Sequence, residues 1–195
     1  MNKEIKLYQS LNDIAVTGGS VIFGGAKDRI IPLGELKDTF ELPGTFYNRS
    51  LSGLRISNAV MLYDQCVAPL EPDEVYLHIG NTDLDLLSEN AAEFDLQYSQ
   101  LLQHIRKTKK TCRITIVSFE NPDCDPLIHQ LNQHLKVISQ NGGCEFCDVA
   151  TQRDWNPQQT KEVVSFLYSM GFIKPLKQSR PVHDIAKILF CLQPM

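Results

Sequence analysis

No stretch of this 195-residue sequence approaches the roughly 18 consecutive apolar residues of a membrane-spanning helix. The opening MNKEIKLYQSLND has neither a long apolar core nor a small-residue cleavage site. No secretory signal is therefore expected, and the expected location is cytoplasmic. Positive charge is not in excess: 19 Lys and Arg against 23 Asp and Glu give a formal charge of −4. That balance argues against a nucleic-acid partner, because phosphate binding calls for a basic face. The basic run from Arg106 to Lys110 is short and falls where a helix should end, and cations there complement the helix dipole. Linkers rich in Pro, Gly or Ser are missing, and so are internal repeats. The length suits a single domain over residues 1–195 with a sizeable core.

Cysteine is present six times but scattered, at 66, 112, 124, 144, 147 and 191. Only Cys144 and Cys147 form a CxxC, and zinc normally wants a second pair or histidines at ligand spacing. The surrounding GCEFCDVA reads as a strand, on which residues three apart face opposite ways. His104, His129 and His134 fall on helices in no metal-binding pattern. No metal and no cofactor are expected, and buried cysteines acting as small hydrophobes are the simpler reading.

What is present alternates. Short β-prone runs occur at Ile14 to Thr17, Ser20 to Phe23 and Thr45 to Tyr47, and Ile56 to Tyr63 suits a helix. Glu74 to Ile79 reads as a strand. Phe94, Tyr98, Leu101, Leu102 and Ile105 recur at helical spacing, followed by a strand from Arg113 to Ser118. Leu127, Ile128, Leu131, Leu135 and Ile138 form a second amphipathic helix, stopped by Asn141-Gly-Gly143. Phe146 to Ala150 reads as a strand. Val163, Val164, Leu167 and Met170 indicate a further helix, and Ile185, Ile188, Leu189 and Leu192 a last one. Strands separated by helices imply right-handed crossovers and a parallel sheet. Ligands of such sheets bind beyond the carboxyl ends of the strands. Three glycine-bearing loops should share that rim: Gly24 to Lys27, Asn48 to Gly53, and Gly80 to Asp83.

Those loops carry a resemblance. VIFGGAKD (Val21 to Asp28), YNRSLSG (Tyr47 to Gly53), LHIGNTDL (Leu77 to Leu84) and RPVH (Arg180 to His183) resemble, in order, the four conserved blocks of the SGNH or GDSL hydrolases. The intervening helix and strand segments resemble that family too, so the likeness runs from about Val21 to Phe190. It implies a three-layer α/β/α sandwich with a parallel sheet, the flavodoxin-like fold of that family. It also implies an esterase or acylhydrolase ancestry. There a serine attacks the acyl carbonyl, a histidine held by an aspartate takes its proton, and backbone N–H groups with an Asn bind the oxyanion.

Carried over residue by residue, the machinery is incomplete. The nucleophile position falls on Ala26, the acid before it on Gly25, and the triad aspartate on Arg180. Asn81 and Thr82 stand in swapped order in the third block, so Thr82 occupies the oxyanion Asn position. His183 and Gly53 match. Gly25, Gly53, Asn81 and Thr82 are the expected ligand or oxyanion contacts, and His183 the remaining catalytic side chain. With Lys27 nearby, the exchange of two acids for Gly25 and Arg180 suggests a pocket tolerant of anions. The leading expectation is a non-hydrolytic protein that binds an acyl or glycosyl small molecule or a protein partner. The alternative is a working esterase or acylhydrolase, using either a non-standard mechanism or another register in which Thr17-Gly-Gly-Ser20 supplies Ser20 as nucleophile. Against that register, Gly24-Gly25 would break the helix after Ser20, and Ile31 to Leu36 resembles the segment that follows the family's nucleophile. His78, inside a strand, reads as a structural side chain. Asp83 and Asp85 read as caps of the segment after them, and Asp123 and Asp125 as loop residues.

Overall fold

Alternation along the strands sorts the apolar residues to two sides. Val21 and Phe23 share one core with Val75, Leu77, Ile114 and Ile116, while Ile22, Tyr76, Val117 and Cys147 belong to another. A sheet buried on both faces is the signature of parallel strands covered by crossover helices. The computed structural model describes residues 1–42, 44–121, 123–149, 185–186 and 189–190. Its strands are β1 (Ser20–Gly24), β2 (Phe46–Asn48), β3 (Glu74–His78), β4 (Arg113–Val117) and β5 (Glu145–Cys147). They form one wholly parallel sheet in the order β2-β1-β3-β4-β5.

The helices are α1 (Asn2–Asn12), α2 (Leu33–Phe40), α3 (Ile56–Cys66), α4 (Leu84–Glu89), α5 (Ala91–Thr108) and α6 (Pro126–Asn141). Ile56, Ala59, Leu62, Tyr63 and Cys66 of α3 enter the first core, as do Phe94, Tyr98 and Leu101 of α5 and Leu131 and Leu135 of α6. Leu36 and Phe40 of α2 enter the second, with the helical Ile185, Ala186, Leu189 and Phe190. The expected three layers are therefore present. Cys144 packs against the first core and Cys147 lies in the second, so the sheet separates the two sulfurs of the CxxC.

Several local expectations need correction. Residues 14–17 are turn and coil, not a strand. β5 ends at Cys147, short of the expected Ala150. α1 was not legible: none of its residues is buried. Its half-buried Ile5 and Tyr8 pack against the first core, and polar contacts add to the docking. Tyr8 Oη donates to the Ser50 carbonyl at 2.6 Å, and Asn12 Nδ2 to the Cys66 carbonyl at 2.9 Å. Asp125 is the N-cap of α6, accepting from Leu127 N–H at 2.8 Å, rather than a plain loop residue. The basic run does close a helix: Arg106 donates to the Gly143 carbonyl at 2.7 Å, and Lys109 pairs with Asp73. Among the described residues no helix is long and apolar enough to cross a membrane. The expected helix around residues 163–171 lies outside the described residues.

Candidate functional site

In this strand order the chain leaves β1 toward β2 on one side and returns to β3 on the other. The gap between those connections, above the carboxyl ends of β1 and β3, is the topological switch point. β1 ends at Gly24, directly beside His78 at the end of β3. After Gly24 the chain turns through Gly25 and Ala26 into a 3-10 turn over Lys27–Ile30. The turn folds Asp28 back beneath itself, where it is 2% exposed. Its Oδ2 accepts the Gly25 N–H at 2.7 Å. The approach is so close that a Cβ on Gly24 would collide with the Asp28 carboxylate.

The second loop braces the first. Arg49 N–H donates to the Ile22 carbonyl at 2.8 Å and Leu51 N–H to the Gly24 carbonyl at 2.9 Å, continuing the ladder past the end of β2. Buried Ser50 accepts the Gly24 N–H through its hydroxyl at 3.2 Å, and Asn48 Nδ2 donates to the Asp28 carbonyl at 2.7 Å. The third loop is fixed by Asp83, 1% exposed, whose Oδ2 accepts the Ile56 N–H at 3.1 Å. Asp83 thus serves the start of α3. Its side chain makes no capping bond to α4, the helix it was expected to cap. Burial raises its pKa above the ordinary aspartate value, against the lowering effect of the Ile56 hydrogen bond. Asp85 also looks backward and pairs with Arg55 at 3.0 Å.

A cavity of about 660 Å³ opens at the switch point. Gly25, Ala26, Lys27 and Asp28 form one wall, and Ile79, Gly80, Asn81 and Thr82 another. Phe119, Glu120 and Val149, from beyond β4 and β5, join Phe190, Ile30 and Leu54 in the described lining. Among these residues Thr82 alone has a hydroxyl, and it donates to the Leu54 carbonyl at 2.7 Å. His78 also lines the cavity. Its Nδ1 lies 2.8 Å from Asp28 Oδ1, and its ring stacks on Phe119 with centroids 4.0 Å apart. Phe190 meets the same ring edge-on at 4.9 Å. Asn132 of α6 clamps the Phe119 backbone, donating to its carbonyl and accepting from its N–H at 2.8 Å each.

Of the expected site residues, Gly25, Ala26, Asn81 and Thr82 come together on this cavity. The Gly25 N–H, an expected oxyanion donor, faces Asp28 instead. Gly53 is exposed and outside the lining, although its neighbour Leu54 is part of it. Ser20 is the first residue of β1, four residues or roughly 13 Å from the rim at about 3.3 Å per residue. Its hydroxyl donates to Glu74 Oε2 at 3.1 Å. His183 and Arg180 lie outside the described residues.

The sequence matches no protein-family model, and no curated protein matches it. Solved structures do match. A GDSL-like lipase from Bacteroides thetaiotaomicron superposes with a TM-score of 0.59 at 15% identity, over 88% of this chain and 98% of that one. An acetyl xylan esterase superposes at 0.55 and 12% identity, again over 88% and 98%. A variant acetyl-xylooligosaccharide esterase from Geobacillus gives 0.54 at 17% identity, over 89% and 91%. The chain has the SGNH/GDSL-hydrolase fold. Within that fold, Asp28 and His78 are the cavity residues that sequence reasoning passed over. The available signal was position: Asp28 two residues past Ala26, and His78 two before Gly80, both at strand ends of the switch point.

Proposed function

We propose that this chain binds a small acyl or glycosyl compound in the switch-point cavity and does not hydrolyse esters through a serine. Ala26 carries this reading. It lines the cavity just past β1, where the resemblance puts the nucleophile, and a methyl group cannot attack a carbonyl. The hydroxyl of Thr82 is already donated to the protein backbone. In the same reading His183 and Arg180 are the remnants of the triad, and the lipases and esterases of like fold suggest the ligand class. The competing reading is an esterase built on Ser20. Its place at the amino end of β1, bonded to Glu74, weighs against a role at the opposite rim.

The test is turnover of p-nitrophenyl acetate by the purified chain, with labelling by a fluorophosphonate probe. Neither is expected above the buffer control. Removing the serine nucleophile leaves only what binding and oxyanion contacts supply. Turnover that Ser20→Ala abolishes would overturn the proposal in favour of the esterase.

A further inference from the structure

Asp28 and His78 are joined in a way that the proposed loss of the serine leaves unexplained. Asp28 is nearly inaccessible, and its carboxylate is oriented by the Gly25 N–H. The backbone carbonyl of the same residue is held by Asn48. Its Oδ1 faces His78 Nδ1 at 2.8 Å. A carboxylate accepts, so Nδ1 carries the proton, and in the neutral ring Nε2 is then the acceptor. That Nε2 is buried and has no hydrogen-bond partner among the described residues. A buried polar atom without a partner is rare in a folded protein and calls for an explanation. Here the atom belongs to a ring on the wall of a cavity large enough for a small ligand.

We propose that the Asp28–His78 pair is the ligand-recognising centre of this cavity, with His78 accepting at Nε2 the O–H of an amphiphilic alcohol. This rests on the reading of the cavity as a small-molecule site, and it names the chemistry of the ligand. The apolar part of the ligand lies against Ile30, Leu54, Ile79 and Val149. The head is a neutral hydroxyl because it must donate: a carboxylate would bring a second set of lone pairs to Nε2. It would also approach the Asp28 carboxylate behind the ring and Glu120 in the wall, with exposed Lys27 as the opposing charge. This runs against the anion tolerance that the exchange of two acids for Gly25 and Arg180, with Lys27 nearby, suggests from the sequence. Nε2 is shielded from solvent, so the ligand's O–H reaches it only when a neighbouring side chain moves aside.

Three probes of matched size separate the outcomes: 1-hexanol, its isomer methyl pentyl ether, and hexanoate. Each is titrated into the full chain while the imidazole nitrogen resonances are followed by NMR, with His78→Phe used to assign His78. Hexanol is expected to move the Nε2 signal and leave Nδ1 in place. It is expected to bind about tenfold more tightly than the ether, the weight of one neutral hydrogen bond. In His78→Phe the two should bind alike. If the phenylalanine variant does not fold, the wild-type resonances decide alone. Hexanol and ether binding equally, with Nε2 unmoved, would overturn the role of His78 and leave the cavity reading standing. Tighter binding of hexanoate would also overturn it. Failure of all three to perturb any cavity resonance would overturn both.

Discussion

The Asp28 carboxylate lies in the space that a Cβ on Gly24 would fill. Gly24 is buried, and its N–H and carbonyl are engaged by Ser50 and Leu51. The backbone therefore cannot retreat, and Gly24→Ala must displace Asp28. Overpacking of this kind costs about 1–3 kcal/mol, to be read from urea denaturation. The two sites should be coupled. In an Asp28→Gly background the same alanine should cost clearly less, and strict additivity would show that the collision is relieved elsewhere.

How far the sequence can be read follows from where the information lies. The sheet was legible because Ser20 to Phe23, Glu74 to Ile79 and Arg113 to Ser118 are compact β-prone runs. α5 and α6 were legible because their apolar faces recur at helical spacing. α1 has no fully buried residue: it docks through half-buried Ile5 and Tyr8 and the polar bonds of Tyr8 and Asn12, too narrow an apolar stripe to stand out in the sequence. The three rim loops were legible through their glycines. The Asp28–His78 pair was not, because its partners are 50 residues apart and meet only through the pairing of β1 with β3. Asp83 shows the same limit. A local rule assigns it to the helix that follows, whereas its carboxylate reaches back 27 residues to Ile56.

Asp83 also sets a pH dependence. Its folded pKa is raised by burial, so its ionised form is disfavoured in the folded state relative to the unfolded chain. For a raised acid, the penalty is absent below the unfolded value of about 3.9 and grows as pH rises through the folded pKa. Asp83→Asn keeps an acceptor for the Ile56 N–H and removes the charge. It is expected to be more stable than the wild type at pH 7, with the difference vanishing toward pH 3. Thermal melts at both pH values check this, and a variant less stable at pH 7 would contradict it.

The thiols should react in order of burial. Burial pushes Cys66 and Cys112 up to about 11, with Arg49 opposing the shift at Cys66 and Lys109 at Cys112. Burial also moves Cys144 upward, against Arg106. A thiol raised in this way has little thiolate at neutral pH, and the thiolate is the nucleophile. In native protein at pH 8, peptide mapping after brief iodoacetamide treatment should find exposed Cys124 modified well before Cys66, Cys112 and Cys144. In urea the differences should disappear. Fast native alkylation of Cys66 would indicate that α3 opens readily.

Arg49 ties α1 to the rim, and the choice of arginine there can be tested. It is 5% exposed, with its guanidinium carbon 5.1 Å from the Tyr8 ring centroid and 5.3 Å from that of Tyr47. Nε donates to Asn12 Oδ1 and Nη1 to the Asn48 carbonyl, each at 3.0 Å. Burial lowers its pKa, but an arginine stays charged, so the two rings and two neutral acceptors must replace its water. A planar, weakly hydrated cation suits that sandwich; a compact, strongly hydrated ammonium does not. Arg49→Lys should therefore behave as a loss, costing about 1–3 kcal/mol for the missing hydrogen bonds and stacking. The effect should be local. Tyr8 and Asn12 belong to α1, which also carries Glu4, bonded to Ser52 and Arg29 on the rim loops. Hydrogen exchange in Arg49→Lys is expected to lose protection throughout α1 while β1 and β3 keep theirs. Unchanged α1 protection would show that Tyr8 and Asn12 hold the helix without the arginine.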